Sequence, residues 1–195
     1  MQADARAVVL VEGQSDRIAV ETLAAADGRD LGAEGVLVVA IGGAHAIGSH
    51  LAGFGPRSGR LVAGLCDARE EDVFRVQLER AGYETGSDRL GLERLGFFVC
   101  DADLEDELIR AHGAQAVEAV LAANGDLPAF RTLQKQPAWR GQAVEAQLRR
   151  FFGSGGSRKA RYARLLVESL APERVPHPLR GVLAHVGAST RPAAP

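Results

Sequence analysis

The chain has 195 residues, 46% hydrophobic and 25% charged, with a formal net charge of -2; this is the make-up of one ordinary globular domain, or a domain with a small appendage, and it excludes collagen-like, low-complexity and disulfide-built proteins. Its two cysteines, Cys66 and Cys100, each close an apolar run and read as small buried hydrophobes, which favours a reducing, cytoplasmic setting. No apolar run approaches the roughly 20 residues that span a bilayer, and no basic start leads into a signal-type hydrophobic stretch, so a soluble protein with no membrane partner is expected.

In chain order, short apolar runs alternate with amphipathic, Ala/Leu-rich stretches, the pattern of βαβ units around a parallel sheet. Strands are predicted at 7–12 (AVVLVE), 36–41 (VLVVAI), 61–66 (LVAGLC) and 97–100 (FFVC). Helices fall between them: DRIAVETLAAA with Ile18 and Leu23 on one side, a second after GGAHAIG, and EEDVFRVQLERAG, which spaces Val73, Val76 and Leu78 before a glycine stop. A single longer helix is predicted from about Leu104 through LEDELIRAHGAQAVEAVLAA to Asn124-Gly125, with first-turn acids that suit the helix dipole. Beyond it the strands cease. DLPAFRTLQ, GQAVEAQLRRFF, SRKARYARLLVESL and PLRGVLAHV read as short helices, separated by Pro137, the GSGGS loop at 153–157 and ERVPHP. The expected organisation is an α/β domain over 1–126, a basic helical extension over 127–188 packed on it, and a disordered tail over 189–195.

The small net charge hides an asymmetry. Residues 1–126 hold 11 arginines and no lysine against 22 acids, a balance of -11, whereas residues 127–195 hold 12 basic residues against 3 acids, a balance of +9. A basic segment can track a phosphate backbone and an acidic one can hold cations; alternatively, the two parts neutralise each other across an internal interface.

Right-handed crossovers put the carboxyl ends of all strands on one edge of the sheet, where α/β folds place their ligands. Glu12 and Asp16 follow the first strand there, Gly42 and Gly43 the second, Asp67 the third, and Asp103 with Glu105 the fourth. Mg2+ is held by carboxylate oxygens together with water and substrate phosphate, and paired metals about 4 Å apart serve phosphodiester hydrolysis. The bland roles are also open: Asp16 as a helix N-cap, and Asp103 and Glu105 as first-turn acids. His45, His50, His112, His177 and His185 show no zinc-ligand spacing. GSGGSRKA lacks the Gly-Lys-Ser/Thr junction of an ATP-binding loop, and GGAHAIG is a tight turn and not GxGxxG.

VEGQSD after one strand, GG after the next, LCDARE after the third and ADLEDEL after the fourth together resemble the Toprim domain, in particular that of OLD-family nucleases and of short Toprim-only proteins of high-GC bacteria. The resemblance implies a mostly parallel four-stranded sheet flanked by helices and a Mg2+- or Mn2+-dependent nuclease that nicks or cleaves DNA. By the same resemblance Glu12 is the Toprim glutamate, Asp16 its OLD-type companion at one metal, and Asp67 the first acid of the DxD motif. Glu105, with Asp103 behind it, matches the acid that supports a second metal, and Lys159 matches the lysine near the scissile phosphate. The second DxD acid would stand at position 69, where this chain has Arg69; either Glu70 or Glu71 fills that place through a shifted helix start, or one metal site is weak. Asp101 forms a DAD with Asp103 but lies one strand too late for the motif.

Lys159 also stands out by composition, one of two lysines amid 21 arginines, since a compact ammonium and a guanidinium fork do not contact a single oxyanion in the same way. Arg149, Arg150, Arg158, Arg161 and Arg164 are candidate phosphate contacts. Trp139 and Phe130 are either base-stacking platforms or, more simply, apolar anchors of the small helices. Three functions are therefore open: a metal-dependent nuclease acting on DNA, whether duplex or single-stranded, or on RNA; a non-catalytic module that binds DNA or a separately encoded ATPase; and a phosphoacceptor receiver. A homodimer is compatible with all three.

Overall fold

Five consecutive apolar residues form strand β1, Ala7–Val11, every one of them buried. An unbroken buried run of this kind belongs to a central strand covered on both faces. In the computed structural model, which describes residues 5–188, β1 is flanked by β2 (Val36–Ala40) on one side and β3 (Leu61–Asp67) on the other, with β4 (Phe97–Cys100) outside β3. All three pairings are parallel. Gly64 makes the tight β1–β3 packing feasible, because a Cβ there would lie 2.7 Å from the Leu10 carbonyl oxygen and 2.9 Å from the Phe97 ring. The expected tail over 189–195 lies outside the described residues.

Alternation along the strands divides the core in two. Val9 and Val11 face one layer, and Val8 and Leu10 the other. The smaller layer is made by α2 (Ile47–Phe54), α3 (Glu71–Arg80) and a short α4 (Arg89–Arg94), through Ile47, Leu51, Phe74, Leu78 and Leu92. The larger layer holds α1 (Gln14–Ala26) and all the helices after β4: α5 (Leu104–His112), α6 (Ala114–Ala123), α7 (Leu127–Lys135), α8 (Val144–Phe152), α9 (Gly156–Glu168) and α10 (His177–Ala188).

Two elements depart from the sequence expectation. The long helix after β4 is two helices, broken where Gly113 adopts φ 79° and ψ 148°, a left-handed excursion that glycine accommodates readily. Helix α4 was not anticipated: six residues with a glycine inside carry little periodicity, and it starts because the Asp88 carboxylate accepts the Gly91 amide at 2.8 Å.

The late helices share one hydrophobic cluster with the sheet: Leu148, Phe152, Tyr162, Leu166 and Val182 sit in the same core as Val9, Val11 and Ala19. Phe152 stacks on Tyr162 with ring centroids 4.8 Å apart, and Phe151 meets Phe130 edge-on at 5.6 Å. Phe130 is therefore an anchor, fully buried. Helix α10 crosses Phe98 at Gly181, where a Cβ would collide with the ring.

Candidate active site

The strand order β2-β1-β3-β4 reverses direction between β1 and β3, and the crevice outside the carboxyl ends of that pair is where an open α/β sheet accepts a ligand. Glu12 follows β1 and Asp67 ends β3, so both stand at this point. The Asp67 amide donates to Glu12 Oε1 at 2.9 Å, which fixes the glutamate across the crevice. Asp16 enters from the first turn of α1, its Oδ2 accepting the Gly13 amide at 2.8 Å. It is thus a helix cap and, by position, a candidate site acid at once. Glu12, Asp16 and Asp67 line a small crevice floored by Leu65, Cys66, Cys100 and Leu104.

The fourth strand brings two more acids. Asp103 is the N-cap of α5, its Oδ1 accepting the Asp106 amide at 2.8 Å, and its Oδ2 is held at 2.6 Å by both Nε and Nη2 of Arg149 from α8. Glu105 is buried, 5% exposed. Its Oε2 pairs with Lys159 Nζ at 3.1 Å, while its Oε1 is buried with no hydrogen-bond partner among the described residues. A buried, unpartnered carboxylate oxygen is costly.

The electrostatics are those of a site short of positive charge. Burial raises Asp67 to about 8, with Glu12, Asp16 and Asp103 adding to the effect. Burial also raises Glu12, helped by Asp16 and Glu70. The carboxyls of Asp16 and Glu105 are raised by burial despite the attraction of Lys159. Burial would lower Lys159, but Glu105, Asp16 and Asp103 outweigh it and hold the ammonium above its ordinary value. One lysine thus serves as common counter-ion to several carboxylates. The all-oxygen donors and the orphaned Glu105 Oε1 fit a hard divalent cation, although among the described residues no three His, Cys, Asp or Glu side chains are placed to hold a metal ion.

The position-69 question has a geometric answer. Arg69 is exposed in the turn after β3. Glu71 is taken by Arg75 and Arg89, both at 3.0 Å. Glu70, half-buried, has its amide on the Asp67 carbonyl at 2.9 Å, and its charge reaches Glu12. Of the two glutamates it is the one near the crevice. Asp101 is 61% exposed at its side chain and bound to Arg89 and Arg110, outside the cluster.

The basic candidates part company. Arg149 and Lys159 face the acids. Arg158 lies over the Phe151 ring at 4.2 Å, and Arg161 pairs with Asp126 at 2.9 Å; on α9 Arg161 is about 200° round the axis from Lys159. Arg150 and Arg164 are exposed, Arg164 beside Glu21 and Glu168. The partnership of Arg149 with Asp103 was not legible in the sequence, since 46 positions separate them and neither lies in a shared motif. Among the described residues no helix is long and apolar enough to cross a membrane.

Residues 5–54 match the family model described as the Overcoming lysogenization defect protein-like TOPRIM domain. No curated protein matches the chain. The C-terminal region of the Burkholderia pseudomallei OLD protein superposes with a TM-score of 0.73 at 21% identity, covering 96% of this chain and 99% of that one. The corresponding region of the Xanthomonas campestris pv. campestris OLD protein gives 0.71 at 25% identity, over 95% of this chain and 94% of that one. The matched segment carries Glu12, Asp16 and the Gly42-Gly43 turn, and over nearly its whole length the chain shares the fold of the C-terminal region of OLD proteins.

Proposed function

We propose that this chain hydrolyses phosphodiester bonds in DNA with Mg2+ or Mn2+, and that its acidic sheet edge is the catalytic centre. The observation that carries this reading is the convergence of Glu12, Asp16, Asp67, Asp103 and Glu105 on the single ammonium of Lys159, with Glu105 Oε1 buried and unpartnered. Glu12, Asp16 and Asp67 would supply carboxylate oxygens to one cation, and Glu105, with Asp103 behind it, would support a second. Bound divalent cations lower the pKa of water and stabilise the charge that develops on attacking and leaving oxygens.

The chain's own residues do the remaining work. The Asp67 amide fixes Glu12 through one oxygen, leaving the other for a ligand. Asp67, with a carboxyl raised to about 8, holds a proton at neutral pH in the cation-free chain and would give it up to serve as a ligand. Lys159 pairs with Glu105 in the cation-free chain; were the Glu105 charge neutralised by a ligand, the ammonium would be available to stabilise negative charge on a phosphate oxygen. The exposed Arg150 and Arg164 supply affinity through phosphates without sequence readout.

A second reading, a module that binds DNA or a separately encoded ATPase without cutting, is favoured by Arg69 at the place of the second DxD acid. A receiver is disfavoured because Lys159 stands on α9 and not at a strand end. Supercoiled plasmid incubated with the protein in Mg2+, Mn2+ or EDTA, beside Glu12→Ala, separates the two main readings. Nicked or linear product that needs metal and Glu12 supports the nuclease; plasmid binding without cutting in any metal supports the module.

A further inference from the structure

Trp139, the sole tryptophan of the chain, is the aromatic residue that the core does not absorb. It lies between α7 and α8, half-buried, in a loop whose neighbours from Gln136 to Ala143 are otherwise exposed. It belongs to neither hydrophobic cluster, and among the described residues its ring meets no other aromatic ring. Its backbone is nevertheless held firmly. The buried Gln147, 4% exposed, donates from Nε2 to the Trp139 carbonyl at 2.7 Å and accepts Gln134 Nε2 at 2.6 Å. The Trp139 and Arg140 amides both bond the Gln136 carbonyl at 2.9 Å. A fully buried polar side chain is thus committed to positioning a tryptophan whose ring is left outside the core.

The surroundings are cationic. Residues 127–144 contain Arg131, Lys135 and Arg140 and no acid. Arg131 is bound to Glu118; Lys135 and Arg140 are exposed, and neither is in an ion pair among the described residues. Helix α8 leads from this loop to Arg149, which holds Asp103 of the acidic cluster, about 8 Å further along the helix axis. A ring with fixed backbone, flanked by two exposed cations that no carboxylate among the described residues neutralises, Arg140 donating only to the Lys135 carbonyl at 3.2 Å, and joined to the site by one helix, has the ingredients of a stacking platform: every base offers a π-face, and the cations follow the phosphates.

We propose that the α7–α8 loop binds single-stranded nucleic acid, with a base stacked on Trp139 and phosphates on Lys135 and Arg140. The inference rests on the nucleic-acid reading of the site and adds the strand state of the substrate. Duplex bases present only their edges, so a duplex gains the phosphate contacts and not the stack.

The ring reports on itself. Oligo-dT and a duplex of equal length are titrated in EDTA into wild type, Trp139→Ala and Trp139→Phe, with intrinsic tryptophan emission read for wild type and labelled-oligonucleotide anisotropy for all three. Expected are quenching by oligo-dT and not by duplex, a loss of about tenfold in oligo-dT affinity in Trp139→Ala, and near wild-type affinity in Trp139→Phe. Oligo-dT binding with unchanged emission, equal quenching by duplex, or undiminished affinity in Trp139→Ala overturns the platform while leaving the nuclease reading standing. If neither nucleic acid binds, the platform and the nucleic-acid reading of the site fall together.

Discussion

The acidic sheet domain and the basic helical extension differ in how they use charge. The acids of the first are gathered at one point, Glu12, Asp16, Asp67, Asp103 and Glu105 at a single edge, and most are pushed upward by burial, with their crowding adding to it. The cations of the second are dispersed. Four of them cross to the first part: Arg131 to Glu118, Arg149 to Asp103, Lys159 to Glu105 and Arg161 to Asp126. Two of these pairs clamp helices together at the exposed surface, where ion pairs contribute little. The other two enter the site. Internal neutralisation across the interface is therefore real but incomplete: the edge stays short of positive charge, and Lys135, Arg140, Arg150 and Arg164 remain exposed outside it. Concentration of one sign in a half-buried crevice invites a cation, while dispersal of the other along exposed helices suits a polyanion.

This contrast can be broken from either side. The largest effect is expected at the edge itself: Asp67→Ala should lower metal-dependent cleavage by on the order of 10³-fold or more while leaving DNA binding intact or tighter, since it removes a carboxylate from the crevice shared with Glu12 and Asp16. Cutting by the variant near the wild-type rate would show that the edge is not the centre. The next effect concerns the joint between the two regions. Phe152→Ala removes a fully buried ring stacked on Tyr162 and should cost about 3–5 kcal/mol in urea unfolding, with one cooperative transition. Two separate transitions would mean that the extension and the sheet are independent.

Lys159 tests whether the counter-ion is also chemical. Lys159→Ala should reduce cleavage by on the order of 10²-fold, and Lys159→Arg should not restore it, because a guanidinium fork replaces a compact ammonium at a single oxyanion. Full rescue by arginine would reduce the residue to a charge. The smallest effect is in the pH dependence of the cation-free protein. Asp67 ionises near 3.8 when unfolded and at about 8 in the fold, so between those values the folded form holds the extra proton. The stability this contributes is complete below 3.8 and is lost as pH rises through 8. Urea midpoints should decline from pH 5 to pH 8.5, and Asp67→Asn should flatten the decline; an unchanged slope in the variant would assign it to other groups.

How much of this the sequence disclosed follows the range of the interactions. The four strands were legible because each is a short apolar run ended by a glycine, an acid or both, and the carboxyl edge follows from parallel pairing alone. Glu12 and Asp67 could be placed on that edge without coordinates. The break at Gly113 was hidden inside a convincing amphipathic pattern, since an isolated glycine is tolerated within a helix at a cost of about 1 kcal/mol and need not end it. The short α4 rests on a single cap. Least legible were the contacts that make the site: Arg149 with Asp103 and Lys159 with Glu105 join residues 46 and 54 positions apart, and only the packing of α8 and α9 against α5 and α1 decides which of many arginines meets an acid. The choice of Glu70 over Glu71 likewise depends on Arg75 and Arg89 claiming the latter.

The central claim is that the acidic edge is a cation site, and titration calorimetry of Mn2+ into the protein at pH 7.5, repeated with Asp67→Ala, tests it without requiring turnover. The account predicts saturable binding with net proton release, read from buffers of different ionisation enthalpy, and loss of both in the variant. Absence of Mn2+ binding to the wild type, or binding that Asp67→Ala leaves unchanged, would contradict it.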